Sequence, residues 1–361
     1  MTAEPMPLGS AAPEPVVDEP LDPFAAEPPV GRRERSVPRA GWMVVARKEF
    51  ADHLLSARFV VLLLVLGLAA AIPLYFAADT IRSAASTVSG ATAVFIALFW
   101  LPPHVTDTVQ LPSVAGFLGI VAPLLGLSFA FDAVNGERAQ GTLPRLLSQP
   151  IHRDDVINGK FAAGLAVIAI VLVAVVGFIA AFGIIRLGIV PAPSELLRIV
   201  LWVIVTFVYV SLWLAFGMLL SVVVRRAATS ALIGFGVWLL LSIFGELITT
   251  LIGGFIAPLS GSLEQQFANN SMQETIRRIR PDILYSEASR ALLSPQTTDV
   301  STPATVGAAQ QASERIPSLL SLDQSFILVW PQVVALVAIT VACFAIAYVR
   351  FMRQEVRAQV R

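Results

Sequence analysis

The chain has 361 residues, of which 56% are apolar and only 14% charged, and its 25 basic and 25 acidic residues cancel to a formal net charge of zero. Soluble domains carry about 25% charged residues, so a soluble globular fold, which needs polar side chains to cover its surface, is excluded. A single cysteine, Cys343, excludes an intrachain disulfide and a cysteine metal cluster. The three histidines, His53, His104 and His152, lie in separate loops or flanks with no spacing that makes two of them joint ligands.

Taken in chain order, residues 1–40 are rich in Pro, Ala and Glu and nearly free of large apolar residues, acidic first and then basic at Arg32, Arg33, Arg35 and Arg39. Such a segment cannot bury enough surface to fold alone and reads as a disordered cytoplasmic tail. It lacks the basic start and early apolar run of a signal peptide. In 41–58, Trp42, Val45, Phe50 and Leu54 recur at roughly helical spacing around Arg47, Lys48, Glu49 and Asp52. This predicts an amphipathic elbow helix on the membrane surface, with Trp42 at headgroup level.

Six apolar runs follow, at 59–78, 113–131, 161–185, 197–224, 227–248 and 326–349. At about 1.5 Å per residue each can cross a hydrocarbon core of about 30 Å. The fold class is therefore an all-α membrane protein, with a six-span domain over 59–349 and a basic tail at 350–361. The run 94–101 is too short to span and ends at Pro102-Pro103, so it reads as an interfacial or re-entrant piece. With the N-terminus in the cytoplasm, about 17 Lys and Arg fall on inner segments and about 8 on outer ones. That bias puts both termini inside; a seven-span arrangement would put the Arg-rich tail outside.

Two polar connections remain. The outer loop, 253–325, contains a polar helical stretch at 262–280, a second short helix after Pro281 and a Pro/Thr/Gln-rich strip at 295–311. The inner connection, 132–160, is broken by glycines and a proline into short helices, with Leu143, Leu146 and Leu147 on one face. An apolar stripe on the cytoplasmic side needs a partner, either the membrane surface or a groove on another protein.

The inner connection runs Phe131-Asp132, then Gly136-Glu137-Arg138, Gly141-Thr142-Leu143, Leu146-Leu147-Ser148, Pro150-Ile151 and Arg153, with Gly159-Lys160 opening a span. This pattern resembles the ABC-2-type permeases of ABC transporters, and more narrowly the branch that includes the permease used in nitrous-oxide reductase maturation. Arg47-Lys48-Glu49-Phe50, Leu220-Ser221 with Arg225-Arg226, and the stretch from Pro281 through Tyr285 to Pro295 resemble other parts of that family in order. The resemblance covers about residues 40–355.

The resemblance implies that 132–160 docks on a separate ATP-binding subunit and couples its motion to the spans. The implied docking residues are Asp132, Glu137, Arg138, Gly141, Thr142, Leu143, Leu146, Leu147, Pro150, Arg153 and Lys160. Glu137 and Arg138 are expected to hold register by charge pairing, the alternative being solvated loop charges. Gly141 is expected to let two helices meet tightly, Pro150 to end the second, and Asp132 to cap the turn it opens. Gly136 and Gly141 have phosphate-loop spacing, but Thr142 and Leu143 stand where Lys and Ser or Thr are needed, so ATP and Mg are expected on the partner and no cofactor on this chain.

A second permease chain and the lipid bilayer are the other expected partners, and no nucleic acid is. The plasma membrane is the expected location. No protease or esterase motif occurs, so an enzyme is not expected. A membrane scaffold that anchors an ATPase without moving a solute is the alternative function. Glu246, in the fifth run, is a carboxylate near the outer interface, with water access as its reading and a substrate or proton role as the alternative. Gly177 with Ala181, and Gly217 with Ser221, suit close helix packing within the chain or across a dimer seam.

Overall fold

A computed structural model of the chain describes residues 41–87, 94–106, 109–142, 151–258, 262–294 and 321–354. The tail 1–40, the strip 295–311, the end of the basic tail at 355–361, and Leu143, Leu146, Leu147 and Pro150 of the inner connection lie outside those residues.

The chain opens with α1 (Gly41–Leu54), a two-residue turn and α2 (Ala57–Thr87). Ser56 makes the turn: its hydroxyl donates to the His53 carbonyl at 2.6 Å and accepts from the Phe59 N–H at 3.2 Å, closing one helix and capping the next. The short α3 (Val94–Trp100) stops at Pro102-Pro103, and the chain then folds back in a small antiparallel pairing of β1 (His104–Thr106) with β2 (Val109–Gln110). This small hairpin sits inside an otherwise helical set of described residues, as the all-α reading expected, and forms because a proline-blocked stretch too short to span satisfies its backbone by pairing with itself.

Then come α4 (Val114–Ala130) and the one-turn α5 (Asn135–Ala139) of the inner connection. The long helices α6 (Arg153–Leu187), α7 (Pro193–Val223) and α8 (Ala227–Ile256) follow, then the shorter α9 (Leu263–Arg277) and α10 (Pro281–Leu293), and last α11 (Leu322–Met352). Among the described residues six helices are long and apolar enough to cross a membrane: α2, α4 with its turn into α5, α6, α7, α8 and α11. They match the six apolar runs. The third helix begins at Arg153, two turns ahead of its apolar run, because Asp154 and Asp155 favour the positive N-terminal dipole and Asp155 accepts from the His152 N–H at 3.2 Å.

The bundle is organised around α7, which packs against α3, α4, α6, α8, α10 and α11. Two short helices complete the end of the bundle opposite α5. Phe95, Ile96, Leu98 and Phe99 of α3 are buried, so this run does not span but fills the core between α2, α4, α7 and α10. Its N-terminus is held by Glu195, whose Oε1 accepts from the Phe95 and Ile96 N–H groups at 2.8 and 3.3 Å. The Oε2 of the same carboxylate caps α7 through the Ala192 N–H at 2.8 Å.

The second short helix, α10, is a core element rather than part of a peripheral loop. Its Leu284, Tyr285, Ala288, Ala291 and Leu292 are buried. Tyr285 stacks on Tyr209 of α7 with centroids 4.6 Å apart, and Trp202 donates to Ser289 at 3.0 Å. An apolar face on a 13-residue helix is too short to read as a span, and only packing against α7 and α11 explains it.

Candidate functional site

The inner connection and both ends of the described chain meet at one end of the bundle. There α5 has no side-chain cap of its own, since Val134 stands at its N-cap position. The cap comes from α7: Ser221 accepts from the Val134 and Asn135 N–H groups at 2.9 and 3.2 Å, and the Asn135 side chain donates to the Val224 carbonyl at 3.3 Å. Ser221, expected as a small packing residue, is fully buried, and its hydroxyl serves as this cap. Gly217 does pack closely, against Ala130, whereas Gly177 and Ala181 face outward.

The charged centre of this end is Lys160. Its side chain is only 4% exposed, and its ammonium lies 3.0 Å from Glu49 of α1 and 2.7 Å from Glu137 of α5. One buried cation thus joins the first helix and the inner connection to α6. Gly159, its neighbour, permits this: a Cβ there would fall 2.7 Å from the Trp42 carbonyl oxygen and from Val45, so α1 lies directly on α6. Asp155 completes the attachment by accepting from the Trp42 N–H at 3.0 Å. His53, one turn beyond Glu49, packs edge-on against Phe129 at 4.9 Å. Burial holds its pKa below the ordinary histidine value, and Lys160 pushes the same way, against Glu49, Asp132 and Asp52.

The other expected docking residues are distributed as follows. Asp132 does not cap a turn; its carboxylate pairs with Arg58 of α2 at 2.7 Å, and Arg58 also sits over the Phe131 ring. A positive partner from a neighbouring span outcompetes the local backbone here. Glu137 is charge-paired with Lys160. Arg138 instead reaches a neutral acceptor, the side-chain oxygen of Gln354, just past α11. Arg153, the first residue of α6, donates to the Gln354 carbonyl at 3.1 Å.

Among the described residues nothing lies within 4 Å of where the Gly141 Cβ would be, and its φ is +69°; the second helix it is expected to meet lies outside those residues. It closes α5 in the left-handed conformation, with its N–H on the Arg138 carbonyl at 3.2 Å and the Thr142 N–H on the Glu137 carbonyl at 3.0 Å. Backbone geometry by itself therefore favours glycine. Gly141→Asn is expected to be nearly neutral and Gly141→Val to cost about 1–2 kcal/mol, measured as the shift in thermal unfolding of the purified chain. A tolerated valine would remove this account.

Glu246 lies at the far end from this site. It is 56% exposed and pairs with Arg277 at 3.2 Å and Arg280 at 3.0 Å, strapping the α9–α10 turn to α8. No group of three or more His, Cys, Asp or Glu able to hold a metal occurs among the described residues.

Reading the sequence alone missed Gln354 and Glu195, and gave Glu49 and Ser221 no part in holding this end together. Glu49 was findable: Val45, Glu49 and His53 share one stripe of α1 at four-residue spacing, so a carboxylate stands among residues that turn inward. Gln354, beyond the last apolar run, carried no such signal.

The family described as ABC-2 family transporter protein matches residues 43–356. The chain is also similar to the Stutzerimonas stutzeri protein named "Probable ABC transporter permease protein NosY", at 31% identity over 142 residues. That match covers 38% of this chain and 49% of the relative, so the chain spans about half the length of the curated relative it matches. With six helices able to cross a membrane and the family match running over nearly the whole described bundle, this chain belongs to the ABC-2 family of transporters, as a multi-pass membrane protein.

Proposed function

We propose that the chain is the membrane permease subunit of an ABC exporter, driven by a separate ATP-binding subunit that docks on the 132–160 connection. The observation that carries this reading is the attachment of α5. Lys160, Ser221 and Gln354 tie this one-turn helix to α6, α7 and the end of α11, so a push on α5 reaches several spans directly. ATP and Mg bind the partner, whose closure moves α5 and switches access across the membrane.

Both termini are cytoplasmic in this reading. Its support is the bias of about 17 Lys and Arg to the α5 side against about 8 to the other. The plasma membrane is the location. The half-exposed Trp42, Met43 and Val44 of α1 suit an elbow lying at the headgroup level. A second permease chain covers the opposite half of the assembly, in keeping with the broad exposed apolar surface of α8.

The test is reconstitution with the ATP-binding subunit in proteoliposomes. ATP hydrolysis is expected only when both proteins are present, and Glu137→Arg is expected to lower it at least tenfold. Assembly with no solute flux under any condition favours the scaffold alternative. A Cys343→Ser, Arg138→Cys chain labelled by an impermeant thiol reagent from outside intact cells overturns the orientation and the docking site together.

A further inference from the structure

We propose that Gln354 is a clamp that holds both ends of the docking connection in place, a reading that rests on the docking role proposed above. Arg138 and Arg153 flank the connection, one on α5 and one at the start of α6. Both converge on this residue: Arg138 donates to its side-chain oxygen and Arg153 to its backbone carbonyl at 3.1 Å. Its amide N–H in turn donates at 2.9 Å to the carbonyl of Val222. That carbonyl lies in the last turn of α7, where the helix leaves its own acceptors without internal partners. One residue thus closes a ring through α5, α6, α7 and the end of α11, by its side chain to α5 and α7 and by its backbone to α6.

The chemistry suits glutamine rather than a charged residue. An amide offers an acceptor to Arg138 and a donor to the α7 carbonyl at the same time. A carboxylate keeps the first contact and strengthens it, but loses the second; leucine loses both side-chain contacts and keeps the backbone one. Gln354 touches no reacting group; it is a positioning residue, acting through the two arginines.

Amide hydrogen exchange on the purified full chain tests the clamp without the ATP-binding subunit. Gln354→Leu is expected to raise exchange at least fivefold in 136–142 while leaving the middle of α6 unchanged. Gln354→Glu is expected to restore most of the protection. A chain ending after Gln354 keeps it, and a chain ending after Arg353 loses it. Arg138→Met combined with Gln354→Leu is expected to add little to Gln354→Leu alone, since the leucine already breaks the Arg138 contact.

Unchanged exchange in Gln354→Leu, or loss of protection everywhere rather than in that segment, overturns the clamp. Affinity for the ATP-binding subunit is then measured on the same variants. A tenfold weakening in Gln354→Leu, recovered in Gln354→Glu, supports its part in docking. Local loosening with unchanged affinity overturns that part. Failure of the unsubstituted chain to bind the subunit at all sinks the docking reading instead and leaves the exchange result to decide the clamp.

Discussion

Replacing Lys160 with methionine is expected to destabilise the chain by about 3–5 kcal/mol, the cost of breaking a buried ion pair by removing one partner. Lys160 is buried with Glu49 at 3.0 Å and Glu137 at 2.7 Å. Without the ammonium, two carboxylates from different helices face one another in a site that little water reaches. Either they take up protons or α1 and α5 part from α6. The measurement is thermal unfolding in detergent, with hydrogen exchange across 41–54 and 135–142 as the local readout.

The triple variant Lys160→Met, Glu49→Gln, Glu137→Gln is expected to recover most of the lost stability, because no charge is then left unpaired. It is not expected to recover ATPase coupling if the ion pairs set the position of α5. An unfolding temperature unchanged in Lys160→Met would show that the cluster is hydrated and of little weight.

The second large effect is expected at Glu195. Its carboxylate accepts from three backbone N–H groups: Phe95 and Ile96 at the start of α3, and Ala192 at the start of α7. Two helix N-termini with their positive dipole ends share one buried anion. Glu195→Ala leaves these donors without an acceptor, at about 1–3 kcal/mol for each donor that stays buried. The expected total is about 3 kcal/mol or more, with faster amide exchange at residues 95, 96 and 192. Glu195→Gln keeps a carbonyl oxygen for one of the two helices and is expected to lose less. Should the alanine variant match the parent in stability and exchange, water rather than Glu195 caps these helices.

These two residues differ in how far each could be read in advance. Lys160 was singled out through its place in the Gly-Lys step, though as a docking residue; its partners were not. Glu195 passed unnoticed because a carboxylate at a helix start is an ordinary solvent-facing cap. Its second role appears only once α3 is known to end against α7. In the same way Asp132 was picked as a residue but not for its pairing with Arg58, and Tyr285 was placed in a loop although it stacks inside the bundle.

The linear order of residues by itself determined the six apolar runs long enough to span, the short run that fails to span and the family. These depend on local conditions: a helix satisfies its own backbone, and about 20 apolar residues suffice to carry it across lipid. Tertiary structure alone decided the partners: Lys160 with Glu49 and Glu137, Glu195 with α3, and Gln354 with Arg138, 216 residues away. A buried polar group takes whichever donor or acceptor the neighbouring helices bring to it. Which helices are neighbours is settled by packing the whole bundle around α7, a sum over contacts far apart in the chain.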